Sequence, residues 1–271
     1  MNILDKIVAD KRKEVALKKS IVPVSQLENS VLFNRNSISL SNKLKVSQTG
    51  IIAEHKRRSP SKSVINQSLN VQDVAIGYEN AGVCGMSVLT DGKYFGGSLD
   101  DLLLARASVD MPLLRKEFII DTYQIIEAKA HGADVILLIA AILEREEIKI
   151  LSETAKSIGL DVLLEVHNEE ELNKSLMPSL DMLGVNNRNL KTFEVGLDIS
   201  KSLSGKIPND FVKVSESGIS NIEAIKELQQ FGYKGFLIGE NFMKTDNPGE
   251  SARDFIKSLS PNPSPKERGI I

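Results

Sequence analysis

The chain has 271 residues, 41% hydrophobic and 26% charged, with a formal net charge of -2; it fits one large α/β domain or two small ones and offers no bulk electrostatic attraction to nucleic acid or an anionic membrane. Its single cysteine, Cys84, excludes a disulfide framework, and no Cys/His spacing suits zinc. The opening Met1-Asn2-Ile3-Leu4-Asp5-Lys6-Ile7 mixes charge with apolar residues, no apolar run approaches the roughly 20 residues of a membrane span, and a cytoplasmic location is the expectation.

Residues 3–20 place Ile3, Leu4, Ile7, Val8, Val15 and Leu17 among charged residues, which predicts an amphipathic helix. A second short helix is expected near Ser25–Asn29, then a loose polar stretch to about Gly50. The extension 1–50 could cap the bottom of the fold or overhang its top; the pattern allows both. From Ile51 onward strand and helix signals alternate. Strands are predicted at 51–55, 85–89, 111–115, 135–139, 161–165, 182–186, 211–215 and 235–239. Helices are predicted at 71–82, 98–107, 121–132, 144–158, 168–176, 196–203, 220–231 and 248–259. Eight short aliphatic strands alternating with eight helices favour a closed parallel (β/α)8 TIM barrel over 51–259. Gly132, Gly159 and Gly232 punctuate helix ends, and Ser220 or Asn221 can cap a start. Cys84 lies in an apolar run and reads as a small core residue. The tail 260–271, with Pro261, Pro263 and Pro265 and few apolar side chains, is expected to be disordered.

Six of the apolar runs end in groups capable of chemistry, and the carboxyl ends of barrel strands are where active sites lie. Glu54 and Lys56 are two residues apart, so they share a face of the first strand, and His55 between them should face the helices. Lys56 opens the cationic run Lys56-Arg57-Arg58-Ser59-Pro60-Ser61-Lys62. Lys116 and Glu165 end two further strands. Together the four form a rim of two carboxylates and two ammonium groups suited to acid–base chemistry. A lysine, ordinarily near pKa 10.4, becomes a useful general acid when burial or another cation depresses it.

After the sixth strand, Asn186 offers neutral hydrogen bonds and Arg188 a planar fork for a carboxylate. Ser215-Glu216-Ser217-Gly218 and Ile238-Gly239-Glu240-Asn241 follow strands seven and eight, where barrels often hold phosphate on backbone N–H groups. His131, beside Gly132, reads as a helix C-cap, and His167 as a loop residue beyond Glu165. The three histidines form no metal triad, and no dinucleotide or Walker pattern is present.

Several segments resemble indole-3-glycerol phosphate synthase: IIAEHKRRSPSKSVI (51–65), MSVLTDGKYFGGSLDDL (86–102), PLLRKEFIIDTYQIIEAKAHGADVILLIAAIL (112–143), LLEVHNEEEL (163–172), LGVNNRNLKTFEV (183–195), VSESGI (214–219) and LIGENFM (237–243). The likeness covers roughly residues 1–258. It implies a carboxy-lyase of tryptophan biosynthesis that converts 1-(2-carboxyphenylamino)-1-deoxyribulose 5-phosphate to indole-3-glycerol phosphate, carbon dioxide and water. By the same resemblance Lys116 is the general acid of ring closure, and Glu165 and Lys56 serve the later proton transfers and dehydration. Glu54 tunes the lysines, and Asn186 and Ser217 line the site. Arg188, Phe118 and Leu190 hold the anthranilate portion; Ser59, Gly218, Gly239 and Glu240 surround the phosphate, with Glu216 also on the substrate side. No metal or organic cofactor is expected, and the partner is a small phosphorylated substrate, bound by a monomer or weak homodimer. The chain departs from the family at His55, where an apolar residue is usual, and at Ser63, where glycine is usual.

Three other readings compete. Phosphoribosylanthranilate isomerase would use a cysteine–aspartate pair, but Cys84 lies in the second strand rather than at the end of the first. A Schiff-base aldolase would use Lys56 or Lys116, and borohydride trapping would reveal it. A non-catalytic phosphosugar-binding module would not require opposed carboxylates beside two lysines.

Overall fold

A computed structural model describes residues 3–60, 62–189 and 194–259. Leu190 and the proline-rich tail lie outside the described residues, so the expectations for them stay untested. The eight strands are β1 Ile51–His55, β2 Gly85–Leu89, β3 Leu113–Lys116, β4 Val135–Ile139, β5 Asp161–Val166, β6 Met182–Asn186, β7 Val212–Glu216 and β8 Gly235–Ile238. They pair in parallel in sequence order, and β1 closes on β8 with Ile52 opposite Leu237. This is the expected (β/α)8 barrel. Strand β3 starts two residues later than predicted: Pro112 has no N–H for the ladder, although its carbonyl accepts from Met86 at 2.9 Å.

The helices are α1 Ile3–Ile21, α2 Val24–Glu28, α3 Leu40–Val46, α4 Val71–Ala81, α5 Gly92–Phe95, α6 Leu99–Ser108, α7 Thr122–Ala130, α8 Arg145–Ser157, α9 Glu169–Ser175, α10 Asp198–Ser204, α11 Ile222–Gln230, α12 Glu240–Met243 and α13 Pro248–Leu259. Each predicted helix is present. His131 is the C-cap of α7, its Nδ1 2.8 Å from the Glu127 carbonyl oxygen. None of the described helices is long and apolar enough to cross a membrane.

Alternation along each strand divides the core in two. Leu114, Leu137, Leu163, Met182, Val214 and Leu237 fill the barrel interior. Ala53, Val88, Leu164 and Val185 face outward and pack under the helices. The extension does both things its pattern allowed. Residues Leu40–Val46, expected as loose polar chain, form α3, capped by the Ser39 hydroxyl accepting from the Asn42 N–H at 3.1 Å. Its Leu40 and Leu44, one turn apart, are fully buried against the bottom of the interior cluster. A seven-residue helix shows only that single i, i+4 apolar pair, too little periodicity to stand out in sequence. Helix α1 overhangs the top, where Ile3, Leu4 and Ile7 line the barrel mouth.

Candidate active site

Ile52, Glu54 and Lys56 alternate to the inside of the barrel, and Lys56 Nζ lies 2.6 Å from Glu54 Oε1. Gly239 leaves room for that glutamate: a Cβ there would collide with Glu54 Oε1 and stand 3.1 Å from its Cβ. The following cations divide their work. Arg57 forks onto Asp101 at 2.6 and 2.7 Å, and Arg58 donates to the Gly92 and Lys93 carbonyls at 2.7 and 2.9 Å. These brace the loop after β1 against the one after β2, while Lys56 stays at the mouth. His55 is buried on the outer face beside Arg57 and Asp101, as alternation predicts, and burial holds its pKa down at about 4.

Lys116, the last residue of β3, reaches across the barrel floor. Its Nζ is 3.3 Å from Glu165 Oε2 and bonds directly to Glu216 Oε2. Sequence reading grouped Glu216 with the substrate-binding loops after β7. It is the final inward residue of that strand, opposite Asn186 in the ladder, and its carboxylate meets Lys116 in the cavity those loops also line. Burial pushes its pKa up to about 7 against the pull of Lys116, with Glu165 adding to the rise. Lys116 does not show the lowered pKa expected of a lysine poised as a general acid. Burial opposes the Lys116 charge, but Glu216, Glu165 and Glu54 together outweigh it and raise its pKa. The glutamates, not a second cation, set its protonation.

Glu165 is held from three sides. Asn186 Nδ2 donates to its Oε1 at 3.2 Å, Lys116 approaches Oε2, and His167 Nε2 lies 3.3 Å from Oε1. Burial alone would raise its pKa, but Lys116 and His167 lower it below the ordinary carboxylate value. His167 is therefore not merely a loop residue. Two positions beyond Glu165, it turns to the same face by the rule that pairs Glu54 with Lys56.

Neighbouring Asn187 carries no sequence signal that separates it from Asn186. It is buried, donating to the Ser215 hydroxyl and to the Glu216 and Ser217 carbonyls at 2.9, 3.1 and 3.2 Å. It thereby ties the loop after β6 to the turn after β7. That turn carries Ser217 at φ 67 and Gly218 at φ 77, and a Cβ on Gly218 would collide with Val195.

The mouth encloses about 390 Å³. Its floor is Glu54, Lys56, Lys116, Glu165, Asn186 and Glu216; Phe118 and Arg188 stand on its walls, and Ser59, Ser217, Gly218, Gly239 and Glu240 form one side. Phe118 packs on Phe95 with centroids 6.0 Å apart. Lys62 pairs with Glu240, and Asn241 Nδ2 reaches the Ser220 carbonyl at 3.3 Å, so the loops after β1, β7 and β8 meet. Thus the described residues expected at one site are brought to one cavity.

Helix α1 is anchored over this cavity by Lys11, one charge among many in the sequence of that helix. Its buried Nζ lies 3.0 Å from Asp91 and 3.1 Å from Glu117, on the loops after β2 and β3. Burial opposes its charge; those two carboxylates reverse the effect and raise its pKa.

Charged acid–base groups at the carboxyl ends of the strands, beneath glycine-bearing turns after the seventh and eighth, put the protein in the class of (β/α)8-barrel acid–base enzymes. Residues 4–255 match the model of the family described as Indole-3-glycerol phosphate synthase. A protein of that name from Bacteroides thetaiotaomicron is 48% identical over 258 residues, covering 95% of this chain and 99% of its own. Another from a Polaromonas species is 44% identical over 252 residues, 92% of this chain and 96% of its own. The chain belongs to the indole-3-glycerol phosphate synthase family, carboxy-lyases of tryptophan biosynthesis.

Among solved structures, KGPDC from Streptococcus mutans superposes with a TM-score of 0.62 at 12% identity, covering 79% of this chain and 98% of that one. The 3-hexulose-6-phosphate synthase from Salmonella typhimurium gives 0.62 at 14%, covering 78% and 98%. At those identities the likeness is one of fold.

Proposed function

We propose that the mouth residues divide the synthase reaction among themselves as follows. The substrate, 1-(2-carboxyphenylamino)-1-deoxyribulose 5-phosphate, lies with its phosphate among Ser59, Gly218, Gly239 and Glu240. Its anthranilate ring lies against Phe118, with the carboxylate on the Arg188 fork. Lys116 donates a proton to the ketone oxygen as the ring carbon bearing the carboxylate attacks the ketone carbon. Carbon dioxide then leaves, and its bonding electrons restore the aromatic ring. Lys56 protonates the resulting hydroxyl so that it departs as water, and Glu165 accepts a proton from the newly closed ring to give indole. Two protons enter and one leaves, so each turnover consumes one proton with the carbon dioxide and water released.

The observation that carries this reading is the placement of the Lys116 ammonium between Glu165 and Glu216 on the floor of a cavity walled by Phe118 and Arg188. Paired donors and acceptors held within one cavity are what successive proton transfers need. Glu216, when protonated, leaves Lys116 with less opposing charge and so makes it a stronger acid. Glu54 fixes Lys56, while Asn186 orients Glu165 and, through its Oδ1, accepts from the Arg188 backbone N–H at 3.0 Å. Ser217 lines the turn beside Glu216. Every group invoked comes from one chain, so a monomer or weak homodimer suffices.

The test is indole-3-glycerol phosphate formation by the purified protein, followed by absorbance or fluorescence, with wild type beside Lys116→Met. Turnover by the wild type and its loss in the variant is the expected result. Equal turnover by both would remove Lys116 from the reaction.

A further inference from the structure

His167 sits in a geometry that restricts its protons. Its Nδ1 lies 3.2 Å from Glu171 Oε2, and its own backbone N–H donates to that same oxygen at 2.8 Å. Glu171 is itself fixed, because Asn168 Nδ2 donates to its other oxygen at 2.8 Å while the Asn168 side chain caps α9. Nδ1 must therefore carry a hydrogen. The opposite nitrogen, Nε2, is buried without a hydrogen-bond partner, 3.3 Å from Glu165 Oε1. If Glu165 is ionised and Nε2 bears no hydrogen, a lone pair opposes a carboxylate oxygen. The arrangement is attractive only when the ring carries both hydrogens.

We propose that His167 is a positioning residue for the reaction, an imidazolium held by Glu171 that keeps Glu165 ionised and aimed as proton acceptor. It acts through Glu165 and touches no substrate atom. The charged groups around it agree. Glu171 approaches from α9, Glu165 from β5 and Glu216 from β7, with Lys116 of β3 on the far side of Glu165. Burial opposes the imidazolium, but the carboxylates prevail and raise its pKa above the ordinary 6.5. The same imidazolium, after Lys116, lowers that of Glu165.

This inference rests on the reading of Glu165 as the acceptor of the ring proton, and the experiment separates the two. Single-turnover indole formation is measured against pH for wild type, His167→Gln, Glu171→Gln and Glu165→Gln. Wild type should show its acid limb only at low pH, because its Glu165 is held below the ordinary carboxylate value. In His167→Gln the acid limb should move up by about one pH unit, as loss of a nearby opposite charge predicts, with KM within about twofold. Glu171→Gln should move the limb the same way by less, and it carries the test should His167→Gln fail to fold. A uniform loss of rate with the limb unmoved, in whichever of the two variants folds, would mark a structural role and overturn the proposal. Full activity in Glu165→Gln would overturn the reading of Glu165 and this inference with it. Loss in Glu165→Gln beside an unmoved limb in the other two would overturn the inference alone.

Discussion

Gly184 and Glu216 share one volume: a Cβ built on Gly184 would collide with Glu216 Oε1 and lie 3.2 Å from Leu163 Cδ1. The missing side chain in β6 is what lets the last residue of β7 fold onto the barrel floor and meet Lys116. One of its oxygens, Oε1, is buried without a hydrogen-bond partner, which favours the protonated form and agrees with the elevated pKa.

Gly184→Ala should therefore damage catalysis more than stability. Overpacking a core typically costs about 1–3 kcal/mol, but here the strain is relieved by swinging the end of a glutamate away from Lys116. A displacement of that kind can lower kcat by about 100-fold. Thermal melting beside steady-state kinetics checks this, and an unchanged kcat would show that the position of Glu216 does not matter.

Glu216 also predicts a pH dependence. Burial pushes its carboxyl up to about 7, and kcat/KM reports groups of the free enzyme. Protonated Glu216 leaves Lys116 the stronger acid, so kcat/KM should fall as pH rises through about 7. Glu216→Gln, a fixed neutral mimic, should flatten that limb. A limb that rises through the same range, or one that survives in Glu216→Gln, would contradict this role.

The fold was legible because strand and helix periods alternate cleanly from Ile51, and because six of the apolar runs end in a polar or charged side chain. The convergence of Glu54, Lys56, Lys116 and Glu165 on one cavity was legible for the same reason. What escaped depended on distance across the barrel. Nothing in Ser215-Glu216-Ser217 says that Gly184, in a different strand, vacates the space Glu216 occupies, so that residue read as part of a phosphate turn. Helix α3 escaped because burial of Leu40 and Leu44 is supplied by the bottom of the barrel, at the end opposite the site, rather than by a long local pattern. His167 was within reach: the i, i+2 rule applied to Glu54 and Lys56 places it with Glu165. Asn187 was not, since its value lies in joining two loops.

Arg188 offers a sharper test of substrate orientation. Arg188→Lys keeps the charge and loses the fork, so affinity for the intact substrate should drop by about 1–3 kcal/mol. A substrate analogue without the carboxylate should bind both forms alike. If the analogue suffers equally, Arg188 does something other than hold the carboxylate.

The turns after β7 and β8 should supply much of the binding energy through the phosphate. A dephosphorylated substrate should raise KM steeply, and inorganic phosphate should compete with the intact substrate but not with the dephosphorylated one. Gly239→Asp would test the same region less cleanly, because its Cβ would also strike Glu54. Equal apparent affinity with and without the phosphate would remove these turns from binding.

The two lysines should fail at different steps. Lys116 sits between Glu165 and Glu216 on the floor, whereas Lys56 is tied to Glu54 beside Gly239, so the two ammonium groups address different parts of one bound substrate. Removing a general acid usually costs about 100- to 10,000-fold. Lys116→Met should lose ring closure by that order while still binding substrate, leaving open-chain material in a single turnover. Lys56→Met should close the ring and lose carbon dioxide, then stall before water departs, so a hydroxylated ring-closed intermediate accumulates and can be identified by its mass. Glu165→Gln should stall late as well, with little change in affinity, because the proton it accepts leaves only after closure. If Lys116→Met accumulates the closed intermediate and Lys56→Met stalls at open substrate, the roles are exchanged. If neither variant slows the reaction, proton transfer runs through groups outside the cluster on the barrel floor.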